Sequence, residues 1–257
     1  MTRRIAFFAY GVLSYALFLG VFLYAIGFVG GFGVPKGLDS DPTMAFWPAL
    51  GIDLLLLGVF AVQHSVMARP AFKRAWTRFV PEPVERSTYV LFSNVAMILL
   101  FWLWQPLGGE VWTVENPAAR ALIYGVYALG WLIVLVSTFL IDHFDLFGLR
   151  QVWLHLRGRE YTPLRFQMHT AYRFVRHPIY VGWITLFWAT PTMTGAHLLF
   201  ALMTTAYILV AIPLEERDLV AAHGELYEEY RRRVPMLVPA LSAPDPIEVP
   251  AGDARTA

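Results

Sequence analysis

Three clusters of polar residues, far apart in the chain, carry the side chains able to do chemistry. The first is Gln63-His64-Ser65. The second is Asp142-His143-Phe144-Asp145, followed by Arg150 and Gln151. The third has two halves: Tyr172…Arg176-His177-Pro178-Ile179-Tyr180 and, beyond a long apolar stretch, Glu215-Glu216-Arg217-Asp218. A histidine or a desolvated carboxylate can take a proton from a weak acid, and a thiol needs that help because its thiolate is the good nucleophile. A carboxylate can also accept both hydroxyls of a ribose. Pro178 reads as the first residue of a helix, where its missing N–H has no intrahelical partner. The amides of that first turn point outward and suit an anionic group such as a carboxylate. Gly182, one turn on, permits close approach by a ligand or a neighbouring helix.

The elements that must position these residues are membrane helices. Of 257 residues, 57% are hydrophobic, 16% aromatic and only 15% charged, and the mean hydropathy is +0.52. A soluble domain carries roughly 45–50% apolar and about 25% charged residues. The absence of cysteine excludes disulfides, thiolate metal sites and thiol nucleophiles. A net charge of +1 argues against a nucleic-acid partner. A bilayer core needs about 20 apolar helical residues, and four windows supply them. They are Arg4 to Lys36, residues 46–67, Ser87 to Gly109 and Ala121 to Ile141. The first is too long for a signal-peptide core.

The fifth apolar window, between Arg176 and Glu215, holds no Asp, Glu, Lys or Arg and would make about 57 Å of helix. Pro191, Thr192, Thr194 and Gly195 interrupt it, and such residues punctuate helices. The reading is a hairpin, with a short arm over 179–190 and a longer one over 196–213; one long kinked span is the alternative. Charge decides between them, because Lys and Arg collect on the cytoplasmic side. With a hairpin, all of the 20 Lys and Arg residues except Lys36 and Arg120 fall on one face. A single span would export the C-terminal arginines. The fold expected is an all-α polytopic membrane protein: four full transmembrane helices plus a C-terminal helical hairpin, with short cytoplasmic helices forming a cofactor site. It forms one membrane domain over 1–239, with 240–257 a flexible tail and both termini cytoplasmic. The loops are too short for a Rossmann domain.

The third cluster, continued by Val181-Gly182, Gly224…Tyr227…Tyr230 and Val234-Pro235, resembles the isoprenylcysteine carboxyl methyltransferase superfamily over about 164–239. Further pieces resemble the bacterial methanethiol S-methyltransferase family, itself related to the NnrU family. They are Gln63-His64-Ser65-Val66-Met67-Ala68-Arg69-Pro70, Glu85-Arg86-Ser87-Thr88-Tyr89, Asp142-His143-Phe144-Asp145-Leu146-Phe147-Gly148-Leu149-Arg150, Pro191-Thr192-Met193-Thr194 and His197-Leu198-Leu199-Phe200. The resemblance implies an integral enzyme of the bacterial inner membrane that methylates a small thiol, methanethiol to dimethyl sulfide, with S-adenosylmethionine as cofactor. It implies that His177, Pro178, Ile179 and Tyr180 hold the cofactor's amino-acid end, with Tyr172 flanking it; Arg176 is counted with the cofactor-binding residues and, with Arg150, as a possible stabiliser of the thiolate. Phe166 and Gln167 would pass the adenosine, and Glu215 would take the ribose.

For the base, His64 and Asp145 rank first, as base and orienting acid in either order. Asp142 and His143 follow, His143 also fitting a helix-end cap. Arg150 and Arg217 are candidates at the substrate, Arg217 lying near the place of the prenyl enzymes' carboxylate-binding arginine. Trp47, Trp102, Trp104, Trp112, Trp153 and Trp183 read mostly as interfacial belt residues, and Asp53 as a helix–helix hydrogen-bonding group. Alternatives remain: a methyltransferase for isoprenylcysteine or lipid, a transporter, or a metal site at His64, Asp142, His143 and Asp145. A transporter would place its polar residues near the midplane, with matching repeats, and seven scattered histidines are few for a di-metal site, so no metal is expected.

Overall fold

A computed structural model describes residues 1–164 and 170–242. In chain order its elements are α1 (Thr2–Gly30), α2 (Phe46–Ala68), α3 (Pro70–Trp76), α4 (Glu82–Leu103), β1 (Glu110–Thr113), α5 (Pro117–Ile141), α6 (His143–Leu146), α7 (Leu149–Leu156), a 3-10 turn (Thr170–Arg173), α8 (Pro178–Trp188), β2 (Thr192–Thr194), α9 (Gly195–His223) and α10 (Glu225–Arg233). Among the described residues five helices, α1, α2, α4, α5 and α9, are long and apolar enough to cross a membrane. The chain is an integral membrane protein of mainly helical fold. The short α8, about 16 Å long by helical rise, is the first arm of the hairpin, and α9 is the second.

Apolar side chains cover these helices on all sides, so they bury only part of their surface in the bundle and leave the rest for lipid. Leu13, Leu55, Val62 and Leu122 are exposed, whereas Phe28, Leu100, Trp104 and Leu186 are fully buried. Polar groups join α1 to α4: Tyr10 donates to Thr88 (3.0 Å) and Asn94 to the Ser14 carbonyl (3.2 Å). Such bonds are favoured where lipid offers no partner.

Gly182 meets Gly130 in the seam between α8 and α5. A Cβ at Gly182 would lie 2.9 Å from the Gly130 carbonyl oxygen and 2.9 Å from the Val134 amide nitrogen. Backbone cannot yield as a flexible side chain does, so the helices would have to separate. Gly182→Ala is expected to destabilise the fold by about 1–3 kcal/mol, read as a lower thermal unfolding temperature in detergent. An unchanged temperature would show that the seam is looser than these distances state.

At the end of the bundle away from the basic clusters, β1 and β2 form a two-stranded antiparallel sheet, Trp112 opposite Met193. This short ribbon is an addition to the all-α polytopic membrane fold expected from the sequence, which the structure has. Asp39 fastens it, accepting from Thr194 (2.6 Å) and holding the buried His197 ring at 2.9 Å. The second arm does not stop at residue 213 either. It continues through Pro213 to His223, because a proline inside a helix removes one hydrogen bond and bends the helix without ending it where side-chain contacts hold the far turn. Trp104 is not a belt residue: it is fully buried, edge-on to Phe200 (5.7 Å). Asp53, also fully buried, accepts the Gln105 amide at 2.8 Å and so ties α2 to the end of α4.

Candidate functional site

The two ends of the hairpin close on each other. Arg176, just before α8, donates from Nε to Glu216 Oε1 at 2.8 Å and from Nη1 to the Arg231 carbonyl at 2.9 Å and the Val234 carbonyl. His177 Nε2 lies 3.0 Å from Glu216 Oε1. The backbone joins in: the Arg176 amide donates to the Pro235 carbonyl (2.9 Å) and the His177 amide to the Met236 carbonyl (3.3 Å). Tyr230 donates to the Tyr172 carbonyl at 2.7 Å. Gly224, at φ 57°, makes the turn that folds α10 back for these contacts. Buried Glu216 is therefore the hub of a clasp.

Beside the clasp lies a set of groups with hydrogen-bonding capacity to spare. Glu215 Oε2 accepts from Tyr180 at 2.9 Å. Its side chain is 41% exposed, and among the described residues Oε1 has no hydrogen-bond donor. No side chain caps α8, which leaves the Ile179 and Tyr180 amides facing out of the helix start. The Tyr172 hydroxyl is buried without a partner among the described residues. Burial, then Tyr230 and Glu215, push its phenol well above the ordinary range, so it is a neutral donor at pH 7. One carboxylate acceptor beside three neutral donors suits a ligand with hydroxyls at one end and a carboxylate at the other.

His64 stands on the adjoining wall. Its Nε2 is 2.9 Å from the Tyr89 hydroxyl, its Nδ1 is 3.2 Å from Ser93 Oγ, and its ring stacks on Phe60. Ser65 donates to Tyr207 at 3.1 Å, and Arg69 pairs with Asp218 at 2.8 Å, binding α2 to α9. Tyr89, Tyr180 and Tyr207 all lie within electrostatic reach of Glu215. Helices α2, α4, α8 and α9 thus bring His64, Tyr89, Tyr180, Tyr207 and Glu215 into one polar cluster.

Asp145 is not paired with His64, contrary to the expected base-and-acid couple. Its Oδ1 accepts from Arg150 at 2.8 Å and its Oδ2 from Tyr161 at 3.2 Å, while Arg150 also holds Thr162. Asp142, at φ 137°, caps α6 by accepting the Asp145 amide. His143 bridges Thr138 and Tyr15, each at 2.8 Å, and stacks on Phe139 at 4.2 Å. Burial lowers its pKa, with Asp142 opposing. Both ring nitrogens are occupied, which fits the helix-end role. Arg217 is exposed, two residues and so about half a turn from Glu215. It faces the opposite side of α9 from Glu215 and has no hydrogen bond or ion pair among the described residues. Phe166 and Gln167 lie outside the described residues. No group of three or more His, Asp or Glu suited to a metal occurs among the described residues.

Sequence reasoning gave no role to Glu216, Tyr89, Ser93 or Tyr207. Tyr207 had a readable signal, a tyrosine inside an apolar span about two turns before Glu215. Tyr89 had none, because α4 carries several polar residues at that level.

The chain is 59% identical to the methanethiol S-methyltransferase of Crocosphaera subtropica over 230 residues, 90% of either chain. It is 56% identical to that of Mycobacterium tuberculosis over 230 residues, 90% of this chain and 94% of that one. Nurim of Rattus norvegicus is 34% identical over 187 residues, 69% and 71% of the two chains. No protein-family model matches the chain, and no solved structure matches it.

Proposed function

This chain belongs to the methanethiol S-methyltransferase family, and we propose that it methylates methanethiol to dimethyl sulfide with S-adenosylmethionine, at the cytoplasmic face of a bacterial inner membrane. The clasp carries the reading. The hairpin's two ends meet, and beside them stand one part-free carboxylate and one buried hydroxyl, unpartnered among the described residues. That donor set fits the cofactor. Glu215 Oε1 would accept from the ribose hydroxyls. The Tyr172 hydroxyl and the Ile179 and Tyr180 amides would donate to the methionine carboxylate. Arg176 and His177 act through Glu216, fixing the distance between Pro178 and Glu215. Phe166 and Gln167 are assigned to the adenosine on the resemblance.

When bound, S-adenosylmethionine supplies the methyl group and a neutral thioether leaving group. The protein has to hold the thiol in line, keep water out and remove one proton, and positioning alone can supply several kcal/mol. His64 is the base favoured here, because Asp145 is ion-paired with Arg150 and holds Tyr161, away from His64. The thiol proton passes to the Tyr89 oxygen as the Tyr89 proton passes to His64 Nε2, leaving thiolate and imidazolium. Arg150, held by Asp145 and Thr162, acts at most at a distance from the substrate. The charge count supports a cytoplasmic location for both termini.

The reading is tested by headspace detection of dimethyl sulfide from purified protein given methanethiol and S-adenosylmethionine. Consumption of the methyl donor with a prenylcysteine but not with methanethiol would overturn the substrate. Tyr172→Phe tests the cradle. Removing an unpaired buried hydroxyl costs the fold nothing, so the ligand-free unfolding temperature is expected to hold. Adenosylhomocysteine affinity is expected to fall about tenfold, or 1.4 kcal/mol, seen as a smaller ligand-induced thermal shift. Unchanged affinity would remove Tyr172 from the cradle.

A further inference from the structure

Helix α7 lies antiparallel along the first half of α1. Val152 sits over Gly11, Phe8 lies 5.8 Å from Trp153, Phe7 stacks on His155 at 5.4 Å, and the Arg4 guanidinium rests against Gly158. Beside this seam is a cavity of about 440 Å³ lined by Phe8, Val12, Phe144, Leu149 and Trp153, with Asp142 and Arg150 at its edge. That size is within the range of small-ligand sites. Trp153, Phe144 and Val12 are 49%, 51% and 39% exposed. From Arg4 to Val12 the helix advances about 12 Å, close to the roughly 15 Å of hydrocarbon in one leaflet.

The water-facing end of this groove is positive. Arg3, Arg4 and Arg157 are exposed and pair with no carboxylate among the described residues. Arg3 lies over the Phe7 ring (5.1 Å) and Arg157 over the Trp153 ring (5.7 Å). Nearby acids do not cancel the charge: Asp145 is paired with Arg150, which leaves Asp142 and exposed Glu160 against Arg3, Arg4, Arg157 and exposed Arg159. Burial, then Arg4 and Arg3, lowers the His155 pKa.

We infer that this groove binds an anionic phospholipid of the surrounding leaflet, its phosphate on Arg3, Arg4 and Arg157 and one acyl chain along Phe8, Val12, Phe144 and Trp153. The apolar and basic parts follow one another in the order and spacing of a lipid's chain and headgroup. A basic residue at an anionic membrane surface strengthens association about fivefold, so the three of them account for a preference well above tenfold.

The test uses the full chain in detergent micelles and phosphatidylglycerol with brominated acyl chains, compared with brominated phosphatidylcholine. The signal is the quenched fluorescence that Trp153→Phe removes. Quenching is expected at a mole fraction of phosphatidylglycerol at least about tenfold lower, and the preference is expected to shrink to about fivefold in R4Q/R157Q, which keeps Arg3. It is also expected to weaken with added salt in the unaltered protein, a readout that needs no variant. Equal quenching by both lipids, a salt-independent preference, or a full preference in R4Q/R157Q would overturn the site. Displacement of the lipid by inorganic phosphate alone would assign the arginines to a free anion and overturn it equally.

Discussion

Glu216→Ala is expected to unfold the basic end of the bundle and abolish methyl transfer together. Glu216 is 6% exposed and is the shared acceptor for Arg176 Nε and His177 Nε2. Without it the Arg176 guanidinium, whose side chain is only 10% exposed, keeps two carbonyl partners but no counter-charge. Removing one partner of a buried ion pair costs about 3–5 kcal/mol because the other charge stays behind unpaired, a large share of a typical fold's stability. The loss also releases Arg176 from α9, and with it the start of α8. Glu215→Ala gives the contrasting result. Glu215 is part-exposed and bonded to one neutral hydroxyl, so its loss is expected to leave the unfolding temperature nearly unchanged and to cost adenosylhomocysteine binding. Thermal unfolding with and without that ligand separates the two neighbours. A Glu216→Ala protein with the original unfolding temperature would show that the clasp does not hold the hairpin.

The contrast between these neighbours marks the limit of what can be read from a chain. Charge placement around the apolar windows was enough for the hairpin, and Arg176 Nη1 on the Arg231 carbonyl puts those two arginines on one side. Pro178 does start α8. Each of these follows from position along the membrane normal, which hydropathy encodes directly. Direction around the helix axis is different. His64 and Asp145 share a level but face different neighbours, and nothing in their local sequence distinguishes a residue turned toward Tyr89 from one turned toward Arg150. Glu215 and Glu216, 100° apart on α9, could not be sorted into ligand-facing and hub roles before α10 was seen to return against one of them. Trp104 misled for a related reason: an aromatic at a helix end is a belt residue or a core residue according to whether another helix covers it, and Phe200 does. The β1–β2 pair was hidden because its strands are four and three residues long and lie far apart in the chain, Trp112 pairing with Met193.

His64→Ala is expected to lower turnover by about 10²–10⁴-fold at neutral pH, the usual range for losing a general base. Adenosylhomocysteine binding is expected to stay intact, because His64 contacts Tyr89 and Ser93 and none of the cradle residues. Two further measurements distinguish a base from a packing residue. Raising the pH is expected to restore part of the lost rate, since a growing fraction of the substrate then arrives as thiolate; a variant that had merely loosened the site would recover nothing. Tyr89→Phe is the second. If the proton travels through the Tyr89 hydroxyl, held 2.9 Å from His64 Nε2, the two residues form one relay, and breaking it twice costs no more than breaking it once. The double variant is then as slow as either single one, the non-additivity expected of groups that act as a unit. Additive losses would mean that His64 and Tyr89 serve the thiol separately. Full activity in His64→Ala at neutral pH would return the base assignment to the Asp145 side of the bundle, where Arg150 would first have to let the carboxylate go.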